Sequence, residues 1–178
     1  MGRFFNRWTV AAGLIVLAAL LRLVPHPPNV APATALALFS GAIFGLRARA
    51  LLLPLASMLL SDGLLELFTG AGFHQHMLAV YGALGLVVVL GSLAARGLQA
   101  GRVALASVAA STLFYLVTNF AVWAGGTLYP HTFAGLVACY AAALPFYGLS
   151  LLGDLAYTAI IFAAFAAIAR YLPQPQAV

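Results

Sequence analysis

Apolar runs of membrane-spanning length recur along this chain, separated by short turns of glycine, proline, arginine and histidine. Trp8 to Val24, Leu51 to Phe68, His76 to Ala95 and Val103 to Ala124 each come near the roughly 20 apolar residues that cross a bilayer as a helix. Charged residues make up 6% of the chain, against about 25% in a soluble domain, so a water-soluble core is excluded. An outer-membrane barrel would alternate apolar and polar residues, and these runs do not. The expected fold is an all-α integral membrane protein, a compact bundle of about six transmembrane helices with short loops. Residues 1–172 are read as one transmembrane helical domain, and 173–178 as a disordered cytoplasmic tail.

The cuts between helices follow from proline, glycine and arginine. Arg22 lies near the end of the first run, and the stretch Arg22 to Pro32 (R-L-V-P-H-P-P-N-V-A-P) holds four of the nine prolines. Proline fixes φ and biases its predecessor towards extended backbone, so this is a stiff loop. No clear small-x-small cleavage site stands just before it, so the first run is expected to stay as a helix. Ala33 to Leu46 is a shorter second helix. Pro54 lies in the first turn of the third, where proline is tolerated. Phe133 to Leu144 reads as a helical or re-entrant piece, Pro145 to Ser150 as a break, and Leu151 to Arg170 as the last span.

The net charge of +5 comes from arginines and three acids, with no lysine. On a membrane protein this bears on topology, and no nucleic-acid partner is expected. Arg3 and Arg7, Arg47 and Arg49, Arg96 and Arg102, and Arg170 fall on one side of alternate spans. Both termini and the two basic loops are then cytoplasmic, in a bacterial inner membrane. The opposite side carries His26, Asn29, His74, His76, Tyr129 and His131.

With that topology the polar residues gather in the outer half. Asp62 and Glu66 share a face of the third helix. Tyr115, Asn119 and Trp123 rise along the fifth at intervals of four. Asp154 and Tyr157 sit near the outer end of the last span, and Arg22 at the outer end of the first. Charges in hydrocarbon are costly, so such residues normally face a cavity or one another. Arg22, Asp62, Asn119, Trp123, Tyr140, Asp154 and Tyr157 are expected to line a solute pocket, roofed by His26 and Asn29 from the proline-rich loop. Each also has a plainer reading. Arg22 can pair with Asp62 or Asp154 to order the bundle, and Trp123 can belong to an aromatic belt. The single cysteine, Cys139, excludes an internal disulfide and fits a small buried hydrophobe. The His74–Gln75–His76 pair lacks the spacing that presents two imidazoles from one helix, and no cofactor or metal is assigned. No phosphate-binding G-x-x-x-x-G-K-[ST] run and no G-x-S-x-G nucleophile motif occurs.

R-L-V-P-H-P-P-N at 22–29, T-N-F-A-V-W at 118–123 and Y-P-H-T-F-A-G-L-V-A-C-Y at 129–140 resemble a bacterial inner-membrane family of largely unknown function. That family is commonly grouped with the S components of energy-coupling-factor (ECF) transporters. The resemblance implies a six-helix bundle. It also implies a solute site near the outer surface, beneath the loops before the second and fourth helices. Its partners would be an ECF transmembrane subunit and ATPases. The expected function is thus a non-catalytic, substrate-binding subunit for uptake of a small micronutrient such as a vitamin. Two other classes stay open. One is a membrane-embedded enzyme or a metal- or cobalamin-handling protein. The other is a non-catalytic assembly subunit.

Overall fold

A computed structural model describes residues 7–21, 30–70, 72–94 and 97–171. Six helices occur among these residues, and no strand: α1 (Arg7–Leu21), α2 (Ala33–Phe44), α3 (Ala48–Thr69), α4 (Met77–Ala94), α5 (Ala100–Gly125) and α6 (Phe133–Ala169). Four of them, α3 to α6, are long and apolar enough to cross a membrane. Large apolar side chains such as Leu67, Leu78, Leu105 and Leu152 point outward from these helices. A bundle solvated by lipid shows that arrangement, because lipid tails do not penalise exposed leucine.

The short helix α2 holds the bundle together. Its 12 residues rise about 18 Å, too little to cross the hydrocarbon. It packs against all five other described helices. Thr34 to Gly41 are all buried, so its whole circumference is in contact with protein. Phe39 meets Phe162 and Phe165 of α6 edge to face, with ring centroids 5.2 and 5.3 Å apart. Ser40, fully buried, donates to the carbonyl of Ala50 at 2.9 Å, so its hydroxyl is satisfied within the core. Against α4 the contact is backbone to backbone. A side chain on Gly41 would overlap the carbonyl oxygen of Val88, and one on Gly91 the carbonyl oxygen of Leu38. Small residues let membrane helices approach this closely. At the end of α2, Gly45 has φ +65° and its N–H caps the carbonyl of Gly41, a left-handed turn that suits glycine.

Pro145 does not interrupt the last helix: α6 runs unbroken for 37 residues, about 55 Å. This corrects the expected break at Pro145 to Ser150. Proline inside a helix costs about 3 kcal/mol. Unwinding six residues in hydrocarbon would strand several backbone groups, each costing several kcal/mol, so the continuous helix wins. Thr132 caps its start, accepting the N–H of Gly135 at 3.1 Å.

The side-chain contacts fix the helix directions. Val30 lies against Gly153, Thr34 bonds Asp154, and Phe39 meets Phe162, so α2 and α6 run the same way. Ser107 meets Thr158, Ser111 meets Asp154, and Cys139 meets Asn119, so α5 runs against α6. The end of α2 with Arg47 and Arg49, the start of α5 with Arg102, and the end of α6 with Arg170 therefore share one end of the bundle.

Candidate functional site

At the other end, α5, α6, the start of α2 and the turn between α3 and α4 enclose a cavity of about 490 Å³. Among its polar lining residues is Asp154 of α6, which is only 5% exposed. The Ser111 hydroxyl donates to its Oδ2 at 2.6 Å, and the Thr34 hydroxyl gives a second hydrogen bond. One turn further from the cavity, Ser107 and Thr158 pair at 3.1 Å, both buried. A polar seam between α5 and α6 thus leads up to the cavity and ends on a carboxylate.

Above Asp154 the lining is aromatic. Tyr115 and Tyr147 stand 4.7 Å apart, inclined by 39°. Each ring is fixed by its own hydroxyl: Tyr147 shares a 2.8 Å hydrogen bond with Thr112, and Tyr115 donates to the Tyr140 carbonyl at 2.7 Å. Phe114 and Phe146 complete this wall. Asn119 lines the cavity one turn beyond Tyr115 and donates from Nδ2 to the Tyr115 carbonyl at 2.8 Å. Its side-chain carbonyl oxygen and its second N–H are left to meet a ligand.

His74 and His76 reach the lining from the turn between α3 and α4. That turn folds back on α3, because Glu66 accepts the N–H groups of Gly72 and Phe73 at 2.9 and 3.0 Å. Gly72 lies so close to the backbone at Asp62 and Glu66 that no side chain fits there. His76 also comes within 4.0 Å of the position a Cβ of Gly125 would take, which ties the turn to the end of α5.

Of the residues expected to bind solute, Asn119 and Asp154 line the cavity together. Asp62 is buried elsewhere and accepts the Tyr81 hydroxyl at 2.6 Å, so the two aspartates do not share this cavity. Tyr140 stands behind Tyr115, ring centroids 5.5 Å apart, and donates to the Leu116 carbonyl at 2.7 Å. Trp123 holds the turn after α5, donating from Nε1 to the Pro130 carbonyl at 3.0 Å with its ring on the edge of His131. Tyr157 is partly buried against the apolar core. Arg22, His26 and Asn29 lie outside the described residues, as does the tail from 172 onward. Cys139 is buried, its thiol 3.5 Å from the Asn119 carbonyl. Among the described residues, no three histidine, cysteine, aspartate or glutamate side chains gather to hold a metal ion.

Thr34, Ser111 and Tyr147 are lining residues that the sequence reading left out. Ser111 was within reach: the stripe of Tyr115, Asn119 and Trp123 at intervals of four runs back through Ser111 to Ser107. Tyr147 was hidden by the expected break. In a continuous helix Tyr140, Tyr147 and Asp154 are seven apart and share a face.

No curated protein and no solved structure matches the chain. A family model does, over residues 3–176, which takes in every element of this site. The chain belongs to that family, the family of unknown function DUF6580.

Proposed function

We propose that the protein is a solute-binding membrane subunit, similar to the S component of an ECF transporter, that captures a small micronutrient such as a vitamin for uptake. The observation that carries this reading is the 490 Å³ cavity, in which a buried carboxylate, hydroxyls, an amide and two tyrosine rings converge from three helices. Small-molecule sites have this size and this mixture of apolar wall and few polar groups. The arginine-bearing turns lie at the far end of the bundle. The excess of positive charge on cytoplasmic loops then turns the cavity outward, with both termini inside. A turn before the fourth helix contributes His74 and His76, which agrees with the site that the S-component likeness implies. The partners in this reading are the solute, the bilayer, and an ECF transmembrane subunit with its ATPases.

Native mass spectrometry of the protein purified from its own host in mild detergent tests this. The parent is expected to retain a small molecule that the Asn119→Ala and Tyr147→Ala variants lose. A parent that emerges empty, or a molecule retained equally by both variants, would count against a solute site here.

A further inference from the structure

We infer that the solute of this cavity carries a positively charged nitrogen that pairs with Asp154, on a flat body held against Tyr115 and Tyr147. The inference rests on the proposed reading of the cavity as a solute site and adds the chemical class of its occupant.

Asp154 is almost wholly buried, yet it lines the cavity. Its described partners, Ser111 and Thr34, are uncharged donors. A carboxylate offers about four lone-pair positions, so two hydroxyls leave room for a further donor. Among the described residues that line the cavity the basic side chains are His74 and His76, neither of them a hydrogen-bond partner of Asp154; no arginine occurs there, and the chain has no lysine. A carboxylate buried without a countercharge costs several kcal/mol, and a cation entering from outside offsets part of that cost. An anionic solute would instead set two like charges together in a medium of low dielectric. The aromatic wall favours the same ligand class. Tyrosine and phenylalanine rings attract organic cations through their π faces, most strongly where water is excluded. Tyr115, Tyr147, Phe114 and Phe146 lie within the same cavity as Asp154. A carboxylate beneath aromatic faces is a receptor for a protonated amine or a cationic ring nitrogen.

The test is competitive retention by the full chain in lipid nanodiscs, read by native mass spectrometry. The probes are matched sets on phenyl, pyridyl, imidazolyl and indolyl rings, each bearing an aminoethyl, a hydroxyethyl or a carboxyethyl arm. On at least one ring the aminoethyl member is expected to be retained at least tenfold over the other two. Asp154→Asn is expected to abolish that preference. The charge series on the unaltered chain decides by itself if Asp154→Asn does not fold. A series in which the aminoethyl member reaches that tenfold preference on no ring overturns the inference, as does a preference that survives Asp154→Asn. So does retention of no probe at all. A parent without preference that gains one in Arg22→Gln would assign the countercharge to Arg22 and likewise overturn it. If the protein from its own host carries an acidic or uncharged molecule that Tyr147→Ala loses, the solute site stands and only the cationic class fails. An empty host protein that also retains no probe removes both.

Discussion

Ser111 on α5 donates to Oδ2 of Asp154 on α6 at 2.6 Å, the shortest link of a buried seam whose next pair is Ser107 with Thr158 at 3.1 Å. The two links differ in what is left behind when one is cut. Hydrogen bonds between membrane helices average about 0.6 kcal/mol. Leaving a buried acceptor short of a donor costs about 1–3 kcal/mol, and more when it is charged. Ser111→Ala is therefore expected to lower stability by about 1–3 kcal/mol, and Ser107→Ala by about 0.6 kcal/mol. Thermal unfolding in detergent would place Ser111→Ala clearly below Ser107→Ala; the reverse order would show that Asp154 does not depend on this donor.

The contact of α2 with α4 is a close approach of backbone to backbone. A Cβ at Gly41 or Gly91 would meet backbone, which cannot turn aside as a side chain can. Gly41→Ala and Gly91→Ala are each expected to cost at least the 1–3 kcal/mol typical of overpacking. Gly82, on the same helix as Gly91, has nothing within 4 Å of its missing Cβ. Gly82→Ala is expected to gain about 0.5–1 kcal/mol from helix propensity. Midpoints of thermal unfolding for the three variants would show the opposite signs. Destabilisation by Gly82→Ala equal to that by Gly41→Ala would refute the close approach.

Tyr147 separates ring from hydroxyl. Its hydroxyl bonds Thr112 and its ring stacks beside Tyr115 in the lining. Tyr147→Phe keeps the ring and is expected to retain the solute nearly as well as the parent. Tyr147→Ala removes the aromatic face, a loss of about 1–2 kcal/mol or roughly tenfold in affinity. Quantitative comparison of the retained fraction checks this, and equal losses for the two variants would move the ring out of the binding role.

Trp123 makes a different prediction. It was expected to stack on solute, but its partners are Pro130, His131 and Phe120 at the end of α5. Trp123→Ala is expected to loosen residues 126–132, with faster amide hydrogen exchange there, while the solute stays bound. Loss of solute with unchanged exchange would restore the stacking role.

Much of the fold was legible because hydrocarbon imposes strict rules. Spans reveal themselves by length, and arginines mark one end, so Arg47, Arg49, Arg102 and Arg170 were grouped correctly from chain order. Pro145 was not legible, since the residue that breaks a helix in water is carried through in lipid. That one misreading concealed Tyr147. Asp154 and Asn119 were found because a charge or amide inside an apolar run is conspicuous. Thr34 and Ser111 are small and common in such runs, and only the packing of α2 against α5 and α6 shows that their hydroxyls meet a carboxylate. Asp62 looks equivalent to Asp154 in sequence; in the structure it accepts the Tyr81 hydroxyl and does not line the cavity.

The most direct test of an outward-facing solute cavity is labelling at Thr118, a half-buried lining residue. In a Cys139→Ala background, Thr118→Cys would be exposed to a small, membrane-impermeant thiol reagent in intact cells and in inverted vesicles. Cys139, 2% exposed, supplies the unreactive comparison in the parent. Rapid labelling of Thr118→Cys in intact cells, and little in inverted vesicles, is the expected result. Labelling only in inverted vesicles would turn the cavity to the cytoplasm and contradict a role in uptake, and no labelling from either side would show that the cavity is closed to solutes.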